Sequence, residues 1–388
     1  MAENALFRRF RIPPNNRASG KLELELRCLV RVARTLRGEL RTTFRVPWQQ
    51  RLSALRQGFT SRSAVLYQLG KNDPAAYVSD LGFALRGYKI NGFFNPIVGN
   101  KLVLAQLLAA YDLPHPRVLA LVAKGRLLRM DTESDAAAAD ELHGLLAESG
   151  DALVFRPHWS GGGEGIFFLR RAKLGWSVNG IDATTADVCD LIAGLDRYVV
   201  TALVQQASYA HTIFPLAANT LRILTLWDEE AGPFVAGVVH RFGASRSLPI
   251  DNWHQGRGGL CASIDVGSAT LGPSATLDAQ NRLQWMSSHP ETGSRIEGVC
   301  VPHLQHALDG VLRAARRFPE APCIGWDAMI TDTGYSILEA NSPPGLFVWQ
   351  VHMPLLADER VSRFFGRLGF PVPTKLRASS VRAAADAA

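Results

Sequence analysis

Two carboxylates and an amide lie close together in GWDAMITDTGYSILEANSPPG, which covers residues 325–345. Asp327 precedes Glu339 by twelve residues, and Asn341 follows Glu339 by two. The segment TDTG between two apolar runs favours a tight turn, because its glycine tolerates a positive φ. A hairpin folded about Thr333 places Asp327 opposite Glu339, and Asn341 shares their face of the sheet. The spacing therefore predicts three oxygen-bearing side chains side by side.

This triplet has the chemistry of a cation site with oxygen ligands. Facing carboxylates repel each other, and in a half-buried setting each raises the pKa of the other. A divalent cation removes both costs, and an all-oxygen set suits Mg²⁺ or Mn²⁺ better than Zn²⁺. Because Mg²⁺ fills its octahedron with water and substrate phosphate, the triplet implies a nucleotide. Spacing alone leaves a second interpretation open, in which both acids are surface strand residues and Asn341 caps a turn.

A glycine-rich segment could bind phosphate. LVFRPHWSGGGEGIFFL, residues 153–169, places Ser160 and four glycines between two apolar strands. Glycines let backbone N–H groups approach a phosphate closely. The segment is not a P-loop, because no Gly-Lys-Ser/Thr follows, and not a dinucleotide fingerprint, because a strand follows it. The alternative is a flexible hairpin tip. Arg156 on the incoming strand could pair with a phosphate bidentately, and Lys101 could supply a second cation.

The surrounding pattern predicts the elements that position these residues. Residues 101–122 read as a helix, a Pro-bounded turn and a strand, and residues 152–157 and 166–171 read as strands. Residues 220–227 and 232–242 favour a hairpin around DEEAG, and residues 302–320 an amphipathic helix. Residues 243–300 are Gly/Ser-rich and are expected to be loop-rich. Strands interleave with helices, so the class is α/β or α+β.

Composition narrows the class of protein. A chain of 388 residues suggests two or three domains. No apolar run reaches the length of a membrane span and no leader resembles a signal peptide, so a cytoplasmic location is expected. Five scattered cysteines without a C-x-x-C pair argue against disulfides and thiolate zinc. Residues 1–60 hold 13 Lys/Arg and 4 Asp/Glu, so the net charge of +7 belongs to this segment and no nucleic-acid partner is expected.

Residues 21–45 read as a basic amphipathic helix. The apolar residues fall on one face and the arginines on the opposite face. The apolar face comprises Leu22, Leu26, Leu29, Ala33, Leu36 and Leu40, and the basic face comprises Arg27, Arg31, Arg34, Arg41 and Arg45. We expect the apolar face to dock on the chain's own domain, with the arginines in water. The alternative is a peripheral contact with a membrane surface or a protein partner.

Together these segments resemble the ATP-grasp superfamily, and in detail its sugar-transfer-associated branch, which is similar to alpha-L-glutamate ligase-like proteins. The resemblance runs from about Gly99 to about Leu355. It rests on the order and separation of several segments rather than on one motif. These segments are NKLVLAQLLAAYDLPHP, FRPHWSGGGEGI, AANTLRILTL, DNWHQGRGGLCASID, HPETGSRIEGVCVP and the Asp…Glu-x-Asn hairpin.

The resemblance implies an α+β class and an ATP-grasp fold, with two α+β subdomains that close on ATP. Residues 101–200 would form the subdomain with the glycine loop, and residues 201–375 the subdomain with the metal hairpin. A partly helical region, 1–100, would precede them, and a disordered tail, 376–388, would follow.

The resemblance also implies roles for individual residues. ATP would be bound with Mg²⁺, as two ions or with Mn²⁺ in its place, and Asp327, Glu339 and Asn341 would be the metal ligands. The residues implied to contact ATP are Lys101, Arg156, Ser160, Gly161, Gly162, Gly163, Thr201, Ala202, Leu203, Val204 and Gln205. The implied catalytic residues are Arg222, Arg241 and Arg156, and those implied for the acceptor substrate are Asn252, Arg257, Gly258 and Gly259. The chain departs from the family at Arg156, where lysine is usual, and in lacking the common glutamate of the hinge.

The activity that the resemblance implies is carboxylate–amine ligation. An ATP-grasp ligase activates a carboxylate as an acyl phosphate and joins it to an amine, releasing ADP and phosphate. The partners would be small-molecule, peptide or sugar substrates, with the oligomeric state open. Two alternatives remain at this point, namely an ATP-dependent phosphotransferase acting on a hydroxyl and a nucleotide-binding protein without catalysis.

Overall fold

A computed structural model of the chain describes residues 21–131, 138–150, 152–160, 162–173, 175–253 and 258–373. The predictions for Gly161, Arg257 and the tail 376–388 lie outside these described residues. The helices are α1 Lys21–Leu40, α2 Trp48–Arg56, α3 Ser61–Leu66, α4 Asp80–Asn91, α5 Phe94–Val98, α6 Lys101–Ala110, α7 Ala138–Ser149, α8 Thr185–Ala193, α9 Ser208–Ile213, α10 Leu304–Ala315, α11 Phe347–Gln350 and α12 Glu359–Arg367. The strands are β1 Val118–Ala123, β2 Arg126–Arg129, β3 Ala152–Pro157, β4 Phe167–Ala172, β5 Gly175–Val178, β6 Ile181–Ala183, β7 Tyr198–Ala202, β8 Thr220–Asp228, β9 Gly232–Phe242, β10 Leu260–Asp265, β11 Thr270–Leu277, β12 Leu283–Met286, β13 Cys323–Thr331 and β14 Gly334–Asn341.

The first sheet contains seven strands in the order β2-β1-β7-β3-β4-β5-β6, and neighbouring strands run antiparallel. Two amphipathic helices, α7 and α8, cover one face. Leu142 and Leu145 of α7 and Val188 and Ile192 of α8 are buried there in one hydrophobic core. The glycine segment forms the tip between β3 and β4, so the sheet anchors both of its ends.

The second sheet has the order β12-β11-β10-β9-β8-β13-β14, again with antiparallel neighbours, and it is buried on both faces. Helix α10 packs on one face, because its buried residues recur at helical spacing. Residues of the N-terminal part, such as Phe59 and Tyr67, share the other core with Leu355 and Phe365 from the C-terminal part. The predicted α+β class is confirmed.

The β13–β14 hairpin has the predicted alignment. Asp327 pairs with Glu339, and Gly325 pairs with Asn341. The turn itself is one residue shorter than a fold about Thr333 requires, since Thr331 pairs with Gly334. Ala328 pairs with Ile337, which is one position away from the predicted register. A bulge at Leu338 then restores the predicted register, so that Asp327 lies opposite Glu339.

Two predicted features differ from the structure. Residues 243–300 contain β10, β11 and β12, three strands that the loop-rich prediction did not include, although most of the segment lies outside them. These strands escape a periodicity test because they carry small polar residues where a half-buried strand usually has large apolar ones, as in LCASID. The N-terminal helix ends at Leu40 rather than at residue 45, and two β-branched residues, Thr42 and Thr43, follow it.

The orientation predicted for helix α1 is wrong. Its leucine face is exposed, with Leu22 at 84% and Leu40 at 82%. The buried side instead carries Cys28 and Glu39. Polar contacts decide this orientation: Lys89 Nζ lies 2.6 Å from Glu25 Oε2, and the buried carboxylate of Glu39 accepts hydrogen bonds from neighbouring elements. A buried charge with its partners cannot exchange places with leucines without losing those bonds.

Candidate functional site

A cavity of about 430 Å³ lies between the two sheets. The first sheet contributes the strands around the glycine tip, and the second contributes β8, β9, β13 and β14. Most of the predicted site residues line it together. They are Arg156, Gly162, Gly163, Thr201, Ala202, Leu203, Val204, Arg222, Arg241, Asn252, Asp327, Glu339 and Asn341.

Strand register assembles a charged cluster at the centre of this cavity. Asp327 pairs with Arg222 across β13 and β8, and the guanidinium Nε of Arg222 lies 2.8 Å from Asp327 Oδ1. Arg241, one strand further, donates from Nη2 to Asp327 Oδ2 at 3.0 Å and to Thr220 Oγ1 at 2.7 Å. The same nitrogen lies 3.1 Å from Asp251 Oδ1. All four charged groups of this cluster are largely buried.

The two opposed carboxylates of the hairpin differ in proton affinity. Burial raises the pKa of Asp327, and Glu339 adds to the rise, while the nearby arginines oppose it. Burial acts on Glu339 in the same direction, but the charge of Lys101 and then of Arg222 outweighs it and holds the pKa of Glu339 below its usual range. Of the pair, Asp327 therefore binds a proton more tightly than Glu339 does.

Lys101 connects the glycine tip to the β13–β14 hairpin. Asn100 caps helix α6 by accepting hydrogen bonds from the amides of Leu102 and Val103, which fixes Lys101 as the first helical residue. The Nζ of Lys101 lies 3.3 Å from Glu339 Oε2 and donates to Ser160 O and Oγ at 3.3 Å. Lys101 and Ser160 therefore border the cluster without lining the cavity itself.

Arg156 connects the two sheets through the bulge in β14. Its Nη1 donates to the carbonyl oxygen of Leu338, the bulged residue, at 3.0 Å. The Nε of Arg156 is buried and has no hydrogen-bond partner within the described residues. Burial lowers the pKa of this guanidinium, and the charge of Glu339 opposes that effect. A buried cation with an unused donor suits an anionic ligand in the cavity.

The hairpin oxygens fit a hard divalent cation. Asp327 Oδ1 is buried and accepts no hydrogen bond from the described residues, since Arg222 Nε lies near it outside hydrogen-bond geometry. Asn341 uses Nδ2 in both of its contacts, at 3.4 Å to Gly325 O and to Glu339 Oε1, so its oxygen keeps its acceptor capacity. No three His, Cys, Asp or Glu side chains converge on a metal site in the described part of the chain. A cation here therefore needs Asn341 and further oxygens from water or ligand.

The glycine tip lies against the segment that follows β9. Asn252 Nδ2 donates to Gly162 O at 3.1 Å. A Cβ at Gly163 would lie 2.0 Å from Ile250 Cδ1, and Gly163 has a φ of +75°. Only glycine satisfies both the close approach and this backbone conformation. The glycine tip and the predicted acceptor segment are therefore in direct contact with each other.

The apolar end of the cavity lies at the predicted hinge. Thr201, Ala202, Leu203 and Val204 line it, and apolar side chains of both sheets complete it. These additional side chains are Val154, Ile166, Phe168, Met329 and Leu338. A flat apolar group, such as a purine ring, fits such surroundings, with backbone groups of the hinge for orientation.

Besides Lys101 and Ser160, three further predicted residues do not line the cavity. Gln205 is not part of its wall, and the neighbouring Gln206 is occupied, because its amide bonds to Asn219 and to Phe214 O. Gly258 and Gly259 also lie outside the wall. A Cβ at Gly259 would meet Asn252 O at 2.8 Å, so Gly259 supports the segment that carries Asn252.

Several residues that line the cavity were not predicted from the sequence. Asp251 is 3% exposed and accepts a hydrogen bond from the amide of Thr220 at 2.8 Å. Its only sequence signal is its place beside Asn252 in DNWHQG. Trp253 and Phe347 stack with ring centroids 5.8 Å apart, and the buried indole N–H of Trp253 has no acceptor within the described residues. Nothing in the linear pattern marks Phe347.

Comparison with known proteins identifies the family. A family model described as sugar-transfer associated ATP-grasp matches residues 89–360, well over half of the chain. No curated protein sequence matches the chain. The match to the family model thus covers the helix of Lys101, the glycine tip, the charged cluster and the β13–β14 hairpin.

Several solved structures of ligases are also similar. D-alanine–D-alanine ligase from Bacillus anthracis has 13% identity, covers 81% of this chain and 77% of its own, and gives a TM-score of 0.35. The ADP complex of N5-carboxyaminoimidazole ribonucleotide synthetase has 12% identity, with 64% of this chain and 46% of that chain covered and a TM-score of 0.36. The ATP-grasp ligase PsnB, complexed with a precursor variant, Mg and ADP, has 12% identity, with 74% and 66% covered and a TM-score of 0.37. The chain thus spans less than half the length of the synthetase, and the assignment rests on the family model. The chain belongs to the sugar-transfer associated ATP-grasp family.

Proposed function

We propose that the chain is an ATP-dependent ligase that activates a carboxylate as an acyl phosphate and joins it to an amine. One observation carries this proposal. The opposed pair Asp327 and Glu339 and three arginines line one end of a cavity whose other end is apolar, and Lys101 contacts Glu339 from outside the cavity wall. This arrangement combines a possible cation site and fixed positive charges with an apolar region that can hold a nucleobase.

The division of the cavity supports the binding of ATP. The hinge residues 201–204 would hold adenine, and Lys101, Arg156 and the glycine tip would hold the phosphates. Asp327, Glu339 and Asn341 would hold Mg²⁺, which would offset the charge of the β- and γ-phosphates when bound. Family membership adds to this support.

The proposed reaction has two steps. A carboxylate oxygen of the donor attacks the γ-phosphorus of ATP, the bond from that phosphorus to the bridging oxygen breaks, and ADP leaves with the electron pair. An amine nitrogen then attacks the carbonyl carbon, the carbon–oxygen bond to phosphate breaks, and phosphate leaves while the amine releases a proton. No Ser or Cys nucleophile is needed, because catalysis consists of positioning and charge stabilisation.

Arg222 and Arg241 would act on the transferring phosphoryl group and the acyl phosphate. Both are buried beside Asp327, so their guanidinium groups are already desolvated and oriented. Preorganised donors of this kind stabilise developing negative charge without reorganisation during the reaction. Asn252 and the indole N–H of Trp253, for which the described residues offer no acceptor, would contact the acceptor substrate, since both line the cavity on the segment after β9.

A substrate screen tests the proposed function directly. The full chain is incubated with ATP and Mg²⁺ and with amino acids, dipeptides or uronic acids as carboxylates, paired with amino acids or amino sugars as amines. We expect ADP and free phosphate to appear in equal amounts only when both a carboxylate and an amine are present. ADP without free phosphate, with the phosphate on a product hydroxyl, would instead identify a phosphotransferase. No binding of ATP–Mg²⁺ by calorimetry would refute both.

Gly163→Ala should weaken the binding of ATP–Mg²⁺ by about tenfold or more. The substitution places a Cβ against Ile250 and forces a residue with a side chain into a positive φ, which costs about 1–2 kcal/mol by itself. Gly150→Ala is the matched control, because Gly150 has a φ of +86° and open space around it. Titration calorimetry of both variants separates the effect of the contact from the backbone cost. Equal affinities for ATP in the two variants would contradict a role of the closed tip in binding.

A further inference from the structure

Helix α1 carries a continuous apolar row on the outside of the protein. A helix of 20 residues extends about 30 Å, and the row follows most of this length. Its members and their exposed fractions are Leu22 84%, Leu26 60%, Leu29 57%, Val30 48%, Leu36 42% and Leu40 82%. Contiguous exposed apolar surface of this kind marks a site of interaction. The neighbouring helix α2 also has two exposed apolar side chains, Trp48 at 72% and Leu52 at 41%.

The row cannot turn inward, because the other side of α1 is fixed by buried and paired groups. Glu39 Oε1 accepts from Arg51 Nε at 2.7 Å, and Glu39 Oε2 accepts from the amide of Ser61 at 2.8 Å. Lys89 pairs with Glu25 at 2.6 Å. The contact between Arg51 and Glu39 also holds α2 beside the C-terminal end of α1. Outward leucines are therefore a stable feature of this fold.

Arginines border the exposed row. At 100° per residue, Arg37 falls at the edge of the leucine row, and Arg34 and Arg41 follow on the same side. All three are exposed. The acids of the described part of this segment, Glu23, Glu25 and Glu39, already form ion pairs with Arg27, Lys89 and Arg51. The border therefore presents net positive charge beside the leucines.

The positive charge of the arginine border limits which partner can bind to the apolar row. A second copy of the chain would bring the same arginine border against this one. Residues 1–20 carry four arginines and one acid, so they have the same sign as well. The partner must therefore offer an apolar region to the leucines and negative charges to the arginines. A bilayer with acidic headgroups has both, because its acyl chains are apolar and its headgroups are anionic.

We propose that the apolar row of α1 and its arginine border dock the protein on an anionic lipid surface, with α1 lying in the plane of the interface. The leucines enter the boundary of the acyl chains, and the arginines extend their apolar stems beside them and place their guanidinium groups among the phosphates. No helix in the described part of the chain is long and apolar enough to cross a membrane. The docking is independent of the proposed ligase reaction.

Vesicle co-sedimentation of the full chain tests the proposal. The probes are vesicles of phosphatidylcholine alone and vesicles with about one third phosphatidylserine. We expect binding to the mixed vesicles and little to the neutral ones. The triple variant Leu26→Gln, Leu29→Gln, Leu36→Gln should reduce binding more than about tenfold, and Arg34→Gln, Arg37→Gln, Arg41→Gln should reduce it about fivefold per arginine. The matched control is Ile181→Gln, Leu191→Gln, Leu216→Gln, which changes three exposed apolar residues elsewhere.

Each outcome decides the question. Because the substituted leucines are exposed, all variants should keep the melting temperature of the parent chain, which is measured in parallel. Equal binding to both kinds of vesicle, or binding that the leucine triple variant leaves unchanged, overturns the proposal. Failure of the full chain to bind either kind of vesicle overturns it too. A dimer seen by light scattering that the leucine variant dissociates would assign the row to a second copy instead.

Discussion

Glu339→Gln should lower turnover by about 10³-fold or more while the protein stays folded. In the proposed reaction, Glu339 is the more acidic member of the opposed pair, because Lys101 holds its pKa below the usual range. Glutamine keeps the shape and the capacity to contact Lys101 and Asn341 but removes the charge that would hold Mg²⁺. Loss of a charged group that acts in the transition state typically costs two or more orders of magnitude.

The fold should tolerate this change, since the side chain of Glu339 is 25% exposed and a glutamine oxygen can still accept a hydrogen bond from the buried Lys101. The measurements are the release of ADP, the Mg²⁺ concentration for half-maximal rate and the melting temperature. Glu320→Gln, an exposed carboxylate outside the cavity, is the matched control. Unchanged turnover and unchanged Mg²⁺ dependence in Glu339→Gln would refute the metal assignment, whereas a large fall in melting temperature would assign Glu339 a structural role.

The alignment of the β13–β14 hairpin was predictable from sequence because its information is local. Two apolar runs, a turn with glycine and the spacing of Asp327 and Glu339 are enough to bring the carboxylates together. The details were not predictable in the same way. The turn is one residue shorter than the expected one, and the bulge at Leu338 compensates for this. The bulge also presents the carbonyl group that Arg156 binds, and this contact joins two strands that lie 182 residues apart.

The other residues of the charged cluster come together through strand pairing and long-range contacts, which no local sequence pattern predicts. Arg222 reaches Asp327 only because β8 and β13 are neighbours in that register, although 105 positions separate them in the numbering. Asp251 enters from an irregular segment, and its contact with Thr220 follows from the path of the chain after β9. A resemblance to a family can suggest such residues one by one. It does not show that Arg241 bonds to two acids at once.

Helix α1 shows the opposite failure, because a strong local pattern gave the wrong orientation. The periodicity of its leucines identified the helix but not the side that is buried. The decision comes from polar groups of other elements, namely Lys89, Arg51 and Ser61, which satisfy Glu25 and Glu39. Burying the leucine face would leave the carboxylate of Glu39 without these partners.

Arg241→Met should lower the free energy of unfolding by about 3–5 kcal/mol at pH 8, the range found when one partner of a buried ion pair is removed. Arg241 is 8% exposed and lies 3.1 Å from Asp251 Oδ1 and 3.0 Å from Asp327 Oδ2. Methionine fills similar volume but leaves two buried carboxylates with less compensation. Thermal and urea unfolding measure the loss.

The loss should shrink as the pH falls. Burial raises the pKa of Asp251 above its value in the unfolded chain, and Arg241 restrains that rise. Without Arg241 the folded-state pKa rises further, so the folded protein binds a proton more tightly than the unfolded chain does. Stability is then retained below the unfolded pKa and is lost as the pH rises through the folded pKa. The deficit of Arg241→Met should therefore be smaller at pH 5 than at pH 8.

The double variant Arg241→Met, Asp251→Asn tests the cause of this deficit. Asparagine removes the orphaned charge and can still accept the hydrogen bond from the amide of Thr220. We expect it to recover part of the stability at pH 8 and to flatten the pH dependence, without restoring turnover, because the guanidinium is still missing. A deficit that is independent of pH, or a double variant no more stable than the single one, would mean that Arg241 stabilises the fold by packing. In that case the arginine would not hold Asp251 and Asp327 as anions around the cavity, and the electrostatic preorganisation on which the proposed phosphoryl transfer depends would be absent.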